Sequence, residues 1–289
     1  MEKEQLRKKI YSKIDELPTI PAMLPRLLSL MENEKSNASD IADAISHDPA
    51  LTSKILKVAN SAYYGFSQQI SNLNKAVPLL GFKMVKSLAL SIGVIKSLPS
   101  GKKTPLFSQE GLWIHSIAVA TAMQELSKRF GKRNGNEHLF VIGLLHDIGK
   151  IVLDQFFHEL FHQALEEVQD SGSPGLYLAE RNVIGIDHGE IGAMLLMRWK
   201  FPDGISSPIA VHHIEEIPEG TNVNDVAMLR VADALTKGLG LGEEEDPILP
   251  EIRAADLKIL GIKEKGLEDI KAYLHSLENE IHAFFSAIV

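Results

Sequence analysis

The sequence predicts an all-α protein. Apolar residues recur at three- and four-residue spacing along nearly the whole chain, and no pair of alternating runs or Asn-Gly hairpin signal interrupts them. Capping residues and breakers bracket the periodic stretches. With 289 residues, 45% hydrophobic and 24% charged, the chain can bury a large core, as one domain or as two packed halves.

Met23, Leu24, Leu27, Leu28 and Met31 form one helical face, with Pro21 and Pro25 near its start. Asn37 and Asp40 have the spacing of a capping pair and open a short helix through Ile41 and Ile45. Asp48-Pro49 is an N-cap carboxylate followed by proline at the first helical position. A helix therefore begins there, buries Leu51, Ile55, Leu56 and Val58, and runs to about Asn60. Tyr63, Tyr64 and Phe66 read as core aromatics between the halves. A short helix ending at Gly81 and a long one from Met84 to Leu98 follow. Pro99, Gly101 and Pro105 make 99–105 the expected hinge between an N-terminal half, 1–98, and a second half, 106–240.

In the second half the period predicts helices over Gln109–Phe130, Glu137–His146, Ile151–Val168, Tyr177–Val183, His188–Trp199, Ile205–His213 and Val223–Leu239. The remaining segment, 241–289, holds helices near Ile252–Leu260 and Leu267–Phe285. In the latter Leu267, Ile270, Leu274, Leu277, Ile281 and Phe284 keep register, as for packing on the core. The acidic run Glu243 to Asp246 reads as a solvated loop.

Charge and composition exclude several classes. A formal net charge of −8 and a pI near 5.8 argue against a broad nucleic-acid-binding face. Ile41 to Val58 has the outline of a helix-turn-helix, but its reading helix offers as cations only Lys54 and Lys57, so DNA is not the expected partner. Residues Met1 to Lys13 lack the apolar centre of a signal peptide, which makes the cytoplasm the expected compartment. The longest nearly uncharged apolar run, Leu88–Ile95, is too short to cross a bilayer. The chain has no cysteine, so a transition metal must rely on imidazole and carboxylate.

Those groups are scattered through apolar helical stretches: His115, His146-Asp147, His188, His212-His213 and Asp233. A buried polar group without a partner costs several kcal/mol, so convergence on a metal would account for all of them. Each has a plainer reading alone. His115 or His188 can be a hydrogen-bonded core histidine, Asp187-His188 a helix cap with its neighbour, and His212-His213 a pair at a helix C-terminus. In Gly143-Leu-Leu-His-Asp-Ile-Gly-Lys150, Gly149 permits close approach of a second backbone, and Lys150, four residues after His146, is placed to meet an anion. His158-Glu-Leu-Phe-His162 is a literal H-E-x-x-H, with Glu180 as a conceivable third ligand of a protease-type site. Its aromatic neighbours Phe156, Phe157 and Phe161 read equally as the packed face of a strut.

The order H, HD, H, HH, D resembles that of the HD superfamily of metal-dependent phosphohydrolases, and more closely its HD-GYP branch. The resemblance implies one metal on His115, His146, Asp147 and Asp233, and a second on the bridging Asp147 with His188, His212 and His213. Asp147 and Lys150 would then serve phosphoester hydrolysis. The HD-GYP loop Asp-Gly-x-Gly-Tyr-Pro is missing after His213, where the chain reads Ile214-Glu-Glu-Ile-Pro-Glu-Gly220. Leu17-Pro-Thr-Ile-Pro21, Ile45 to Gly65, Ala76 to Gly81 and Gly185 to Ala193 with Trp199 and Pro202 resemble instead the HDOD domain, the HD-related output domain of bacterial signalling proteins, over Leu17 to Glu215.

The HDOD resemblance implies a helical regulatory module, with signalling proteins or a nucleotide as partners and no established reaction. Its members frequently lack a complete HD ligand set, whereas this chain keeps all seven residues. Two divalent ions, iron, manganese, zinc or nickel, are the implied cofactors. A catalytic centre and a structural metal staple are not separated by sequence.

Overall fold

The computed structural model describes residues 3–16, 23–32, 37–98, 104–131, 137–169, 175–242 and 246–288. These residues form seventeen helices and no strand. Leu17–Pro21, positions 99–103 of the expected hinge and Glu243–Glu245 lie outside the described residues. The chain divides into two compact units, one of Met1–Leu17 and Pro99–Leu274, the other of Pro18–Leu98 and His275–Val289.

The second unit contains α2 (Met23–Glu32), α3 (Ala38–Ser46), α4 (Pro49–Ala59), α5 (Leu73–Leu80), α6 (Phe82–Ser97) and α17 (Glu278–Ile288). At α3 the expected capping box is complete: Asn37 Oδ1 accepts from Ser39 N at 2.8 Å, and Asp40 Oδ2 accepts from Asn37 N at 2.9 Å. At α4 the Asp48 carboxylate accepts from Leu51 N at 2.9 Å, and Leu51, Ile55 and Val58 are buried as expected while Leu56 is half-buried. Asn60, the residue that ends α4, holds the following loop through both ends of its amide. It donates to Ile70 O at 2.8 Å and accepts from Ile70 N at 2.7 Å. The aromatics after it differ from expectation. Tyr63 packs edge-on against Phe284 of α17 in the same unit, and Phe66 is exposed. Lys54 donates to the carbonyl of Ile288, so this cation caps a helix end.

The first unit is built around α7 (Gln109–Phe130), opened by Ser108 accepting from Gly111 N at 3.1 Å. Its middle is buried on every side, as is most of α8 (Glu137–Leu145), and such helices occupy the centre of a bundle. α7 packs against α8 and α14 (Val223–Gly238). Around them lie α9 (Ile148–Phe156), α10 (His158–Gln169), α11 (Leu176–Val183), α12 (His188–Arg198), α13 (Asp203–Ala210), α15 (Ala254–Leu260) and α16 (Glu264–Ser276). The N-terminal α1 (Lys3–Glu16), to which the sequence reading assigned no element, packs toward α12 and buries Leu6 and Ile10, four residues apart. Two buried aliphatic side chains, each worth about 1.5–3 kcal/mol, anchor an otherwise polar segment.

Two predicted helices are each broken in two. The run expected over Ile151–Val168 starts earlier, at Ile148, and stops at Phe157, where φ is −137° and ψ 33°. Phe157 is buried, so burying its ring takes precedence over continuing the helix at a place with no proline or glycine to mark it. The run expected over Leu267–Phe285 is divided at Leu277 into α16 and α17, which fall largely in different units. Asp246 of the acidic run is not solvated but 9% exposed, accepting from Leu176 N at 2.7 Å and Ile248 N at 2.9 Å. No single helix among the described residues is long and apolar enough to cross a membrane.

The packing of α9 on α12 needs Gly149. A β-carbon there would lie 1.9 Å from the carbonyl oxygen of His188 and 2.8 Å from Gly192 N, both backbone atoms that cannot turn aside. Gly149→Ala is therefore expected to destabilise the protein by about 1–3 kcal/mol through overpacking. Gly204→Ala in α13, where nothing lies within 4 Å, should be neutral or up to about 1 kcal/mol stabilising. Urea midpoints of the two variants check this, and equal midpoints would contradict the close approach.

Candidate metal centre

The seven His and Asp residues singled out in the sequence come together within the first unit, from five places in the fold. His115 lies midway along α7 and Asp233 in α14. His146 and Asp147 form the turn between α8 and α9, His188 is the first residue of α12, and His212 and His213 lie just past α13. The helix expected through His213 in fact ends at Ala210, so the two histidines sit on irregular backbone. Six of the seven are at most 5% exposed, and His213 is half-buried.

Asp147 lies at the middle. Its Oδ1 is 3.1 Å from His188 Nε2 and 4.0 Å from His212 Nε2; its Oδ2 is 3.3 Å from His146 Nε2 and 2.8 Å from Lys150 Nζ. Asp233 Oδ1 lies 3.0 Å from His115 Nε2 and 3.8 Å from His146 Nε2. Ligand atoms of Asp147, His188, His212 and His213 all fall within 4.8 Å of one another, as do those of His115, His146 and Asp147.

The far sides of the rings are fixed by other partners. His146 Nδ1 bonds Gly143 O at 2.8 Å, His212 Nδ1 bonds Ile209 O at 2.6 Å, and His188 Nδ1 bonds Glu180 Oε2 at 2.7 Å. A carbonyl oxygen accepts a hydrogen bond, so Nδ1 of His146 and His212 carries the proton and Nε2 faces inward, the arrangement that metal-binding histidines take. The Nε2 atoms of His146 and His212 are buried and make no hydrogen bond with the described residues. The Nε2 atoms of His188 and His213 lie 2.7 Å apart. Buried imidazole nitrogens converging on a carboxylate fit a divalent cation of borderline character.

Electrostatics hold this arrangement in tension. Burial favours neutral His146, but Asp147 and Asp233 outweigh it and raise the imidazole pKa to about 9. Burial likewise opposes the charge on His188, yet Glu180 and Asp147 raise it to about 10. His212 is held neutral, at about 3, by burial and by the charged His146 and His188, and His213 is lowered by burial and His212. Burial disfavours the Asp147 charge, but His146, Lys150 and His188 keep this carboxyl well below its ordinary range. Asp233 is kept low against burial by Lys237 and His115.

Three positioning residues escaped the sequence reading. Glu180, fully buried on α11, accepts from both the His188 amide, at 2.8 Å, and its ring. It therefore serves His188 and not the His158/His162 pair for which it was the conceivable third ligand. Arg230 donates to the carbonyls of His212 at 2.9 Å and Val211 at 3.2 Å, and also to that of Ile214. Arg253 donates to His213 O at 3.1 Å. An acid on the inner face of a short helix is a usable sequence cue for Glu180. Arginines that grip carbonyl oxygens leave none, because every residue has a carbonyl.

A cavity of about 320 Å³ opens onto the centre. Lys150, His188, His212, His213 and Asp233 form its inner wall, Arg230, Lys237 and Arg253 add cationic groups, and Leu249 is an exposed apolar residue on its lining. Tyr177 stacks on His213 with ring centroids 4.8 Å apart and planes within 9°.

Comparison with known proteins agrees with this architecture. An HDOD-domain structure of unknown function from Geobacter sulfurreducens is 26% identical, with a TM-score of 0.80 over 99% of this chain and 97% of that one. A candidate phosphohydrolase from Shewanella amazonensis SB2B is 25% identical, with a TM-score of 0.78 over 97% and 98% of the two chains. An uncharacterized protein of Treponema pallidum (strain Nichols) is 28% identical over 209 residues, 72% of this chain, which spans 40% of that relative's length. The model of the HDOD domain matches residues 17–215. With that match covering most of the chain, and with the fold shared over its full length, the chain belongs to the HDOD domain family.

Proposed function

We propose that the chain is a signalling or regulatory HDOD domain whose centre holds two divalent cations sharing the Asp147 carboxylate. His115, His146 and Asp233 complete one ligand set, and His188, His212 and His213 the other. One observation carries the reading: inward-facing Nε2 atoms from both sides flank a single carboxylate, with their Nδ1 atoms already engaged elsewhere. Cations bound there would supply Lewis-acid stabilisation to a phosphoryl group. Imidazole with carboxylate accommodates iron, manganese, zinc and nickel.

A second reading, hydrolysis of a nucleotide or cyclic dinucleotide phosphoester, is favoured by the cavity that opens onto the centre, where Lys150, Arg230, Lys237 and Arg253 stand beside Asp233, Asp246 and Glu251. A purely structural metal needs no such access. Here Lys150 would orient the phosphate through its ammonium group, with Asp147 holding that ammonium in place at 2.8 Å, and the Tyr177–His213 stack would present a flat apolar face to a base. Partner signalling proteins and a nucleotide ligand are both compatible with this surface.

Elemental analysis of the purified protein tests the first reading. Relative to the wild type, Asp147→Asn is expected to lose more than one equivalent of metal, because both central sets lose their shared ligand. Glu180→Gln, which weakens the grip on His188 without touching the metal, should lower affinity for one equivalent by about 10–100-fold. Calorimetric titration would measure that loss, and an unchanged isotherm would remove Glu180 from the site.

The raised pKa values set a sign for pH dependence. In the metal-free protein His146 and His188 bind protons up to about pH 9 and 10, and a cation must displace those protons. Binding at neutral pH is thus expected to release protons, and affinity to rise from pH 6 towards 9. Titration in buffers of differing ionisation enthalpy reads the release directly. For the second reading, a generic phosphodiester is incubated with manganese- or iron-loaded protein. Turnover abolished in Asp147→Asn supports hydrolysis, and metal-dependent melting without turnover leaves the regulatory reading standing.

A further inference from the structure

Outside the seven-residue centre, the H-E-x-x-H segment has an unexpected neighbour. Asp154, in the last turn of α9, is only 4% exposed and its Oδ1 lies 2.9 Å from His158 Nδ1 and 3.8 Å from His162 Nε2. The two imidazoles, four residues apart on α10, face each other with centroids 4.1 Å apart and planes inclined by 43°. One ligand atom from each of the three residues lies within 4.8 Å of the other two.

We propose that Asp154, His158 and His162 bind one further divalent cation of zinc type, distinct from the central pair. Two imidazoles and a carboxylate are a complete protein ligand set for zinc when water supplies the fourth position. With bonds of about 2.1 Å, the two separations from Asp154 correspond to ligand angles of roughly 90° and 130°, within reach of a distorted tetrahedron. The Nε2 of His162 is buried and has no hydrogen bond among the described residues, a state that costs free energy unless something occupies it. His158 is 54% exposed, which leaves a route in from solvent.

The motif's glutamate plays no part. Glu159 is exposed, so the protease arrangement is not formed and the expected role is structural. The three ligands straddle the break at Phe157, and α9 carries Lys150 one turn before Asp154. A cation there would tie the end of α9 to the start of α10 where the backbone bond ladder is interrupted. The inference does not depend on what the central residues bind.

Metal-stripped full-length protein, dialysed against buffered micromolar free zinc, is analysed for zinc per chain. Comparison is between the wild type and the His158→Gln/His162→Gln variant, both checked for folding by circular dichroism. The variant should hold one equivalent less and lose part of the zinc-induced rise in Tm. The same difference of one equivalent should persist when both chains also carry Asp147→Asn, which separates this site from the centre. His158→Gln alone, at a half-exposed position, provides the comparison if the double variant fails to fold. Equal zinc content with and without the imidazoles would overturn the proposal.

Discussion

The buried carboxylate of Asp147 is the constraint around which the first unit is organised. It stands fully buried among His146, His188, His212 and the Lys150 ammonium, where an isolated charge would be costly. No one helix could deliver these partners. The turn between α8 and α9 brings His146, Asp147 and Lys150 together locally, and the others must be carried in by α12, α13 and α14. The close seating of α9 on α12 is the means: without a side chain at Gly149, the backbone of His188 comes directly against the helix that follows Asp147. Core packing and the assembly of the charged centre are thus one geometric requirement.

Much of the fold was legible because helix signals are local. Asn37-Asp40, Asp48-Pro49 and the stretch Gln109–Phe130 mark their elements through capping and periodicity, and the structure follows them closely. The failures are tertiary. Phe157 and Leu277 interrupt apolar-periodic runs with no local breaker, since the choice there is made by what each segment packs against. α1 was invisible for the opposite reason, having too few apolar positions in fourteen residues to register a period.

The site shows the same division. Seven side chains could be picked out because imidazole and carboxylate are out of place in apolar helices, and a motif order tied them together. What could not be picked out is the layer that aims them. Glu180 works through a contact eight residues along the chain and across a turn, and Arg230 works through carbonyl oxygens that have no residue identity. Asp154, four residues before His158, would neighbour that histidine even on the continuous helix expected here; its approach to His162, at 3.8 Å, is what the break at Phe157 adds.

The grip of Arg230 and Arg253 on residues 211–214 has a consequence for how this family can diverge. Both guanidinium groups read the path of the main chain there, and neither requires a particular side chain at 212 or 213. The loop's course is consequently insulated from the identity of what it displays. A descendant could exchange either histidine and still keep the scaffold intact, so change at the site and loss of architecture are separable events in this lineage.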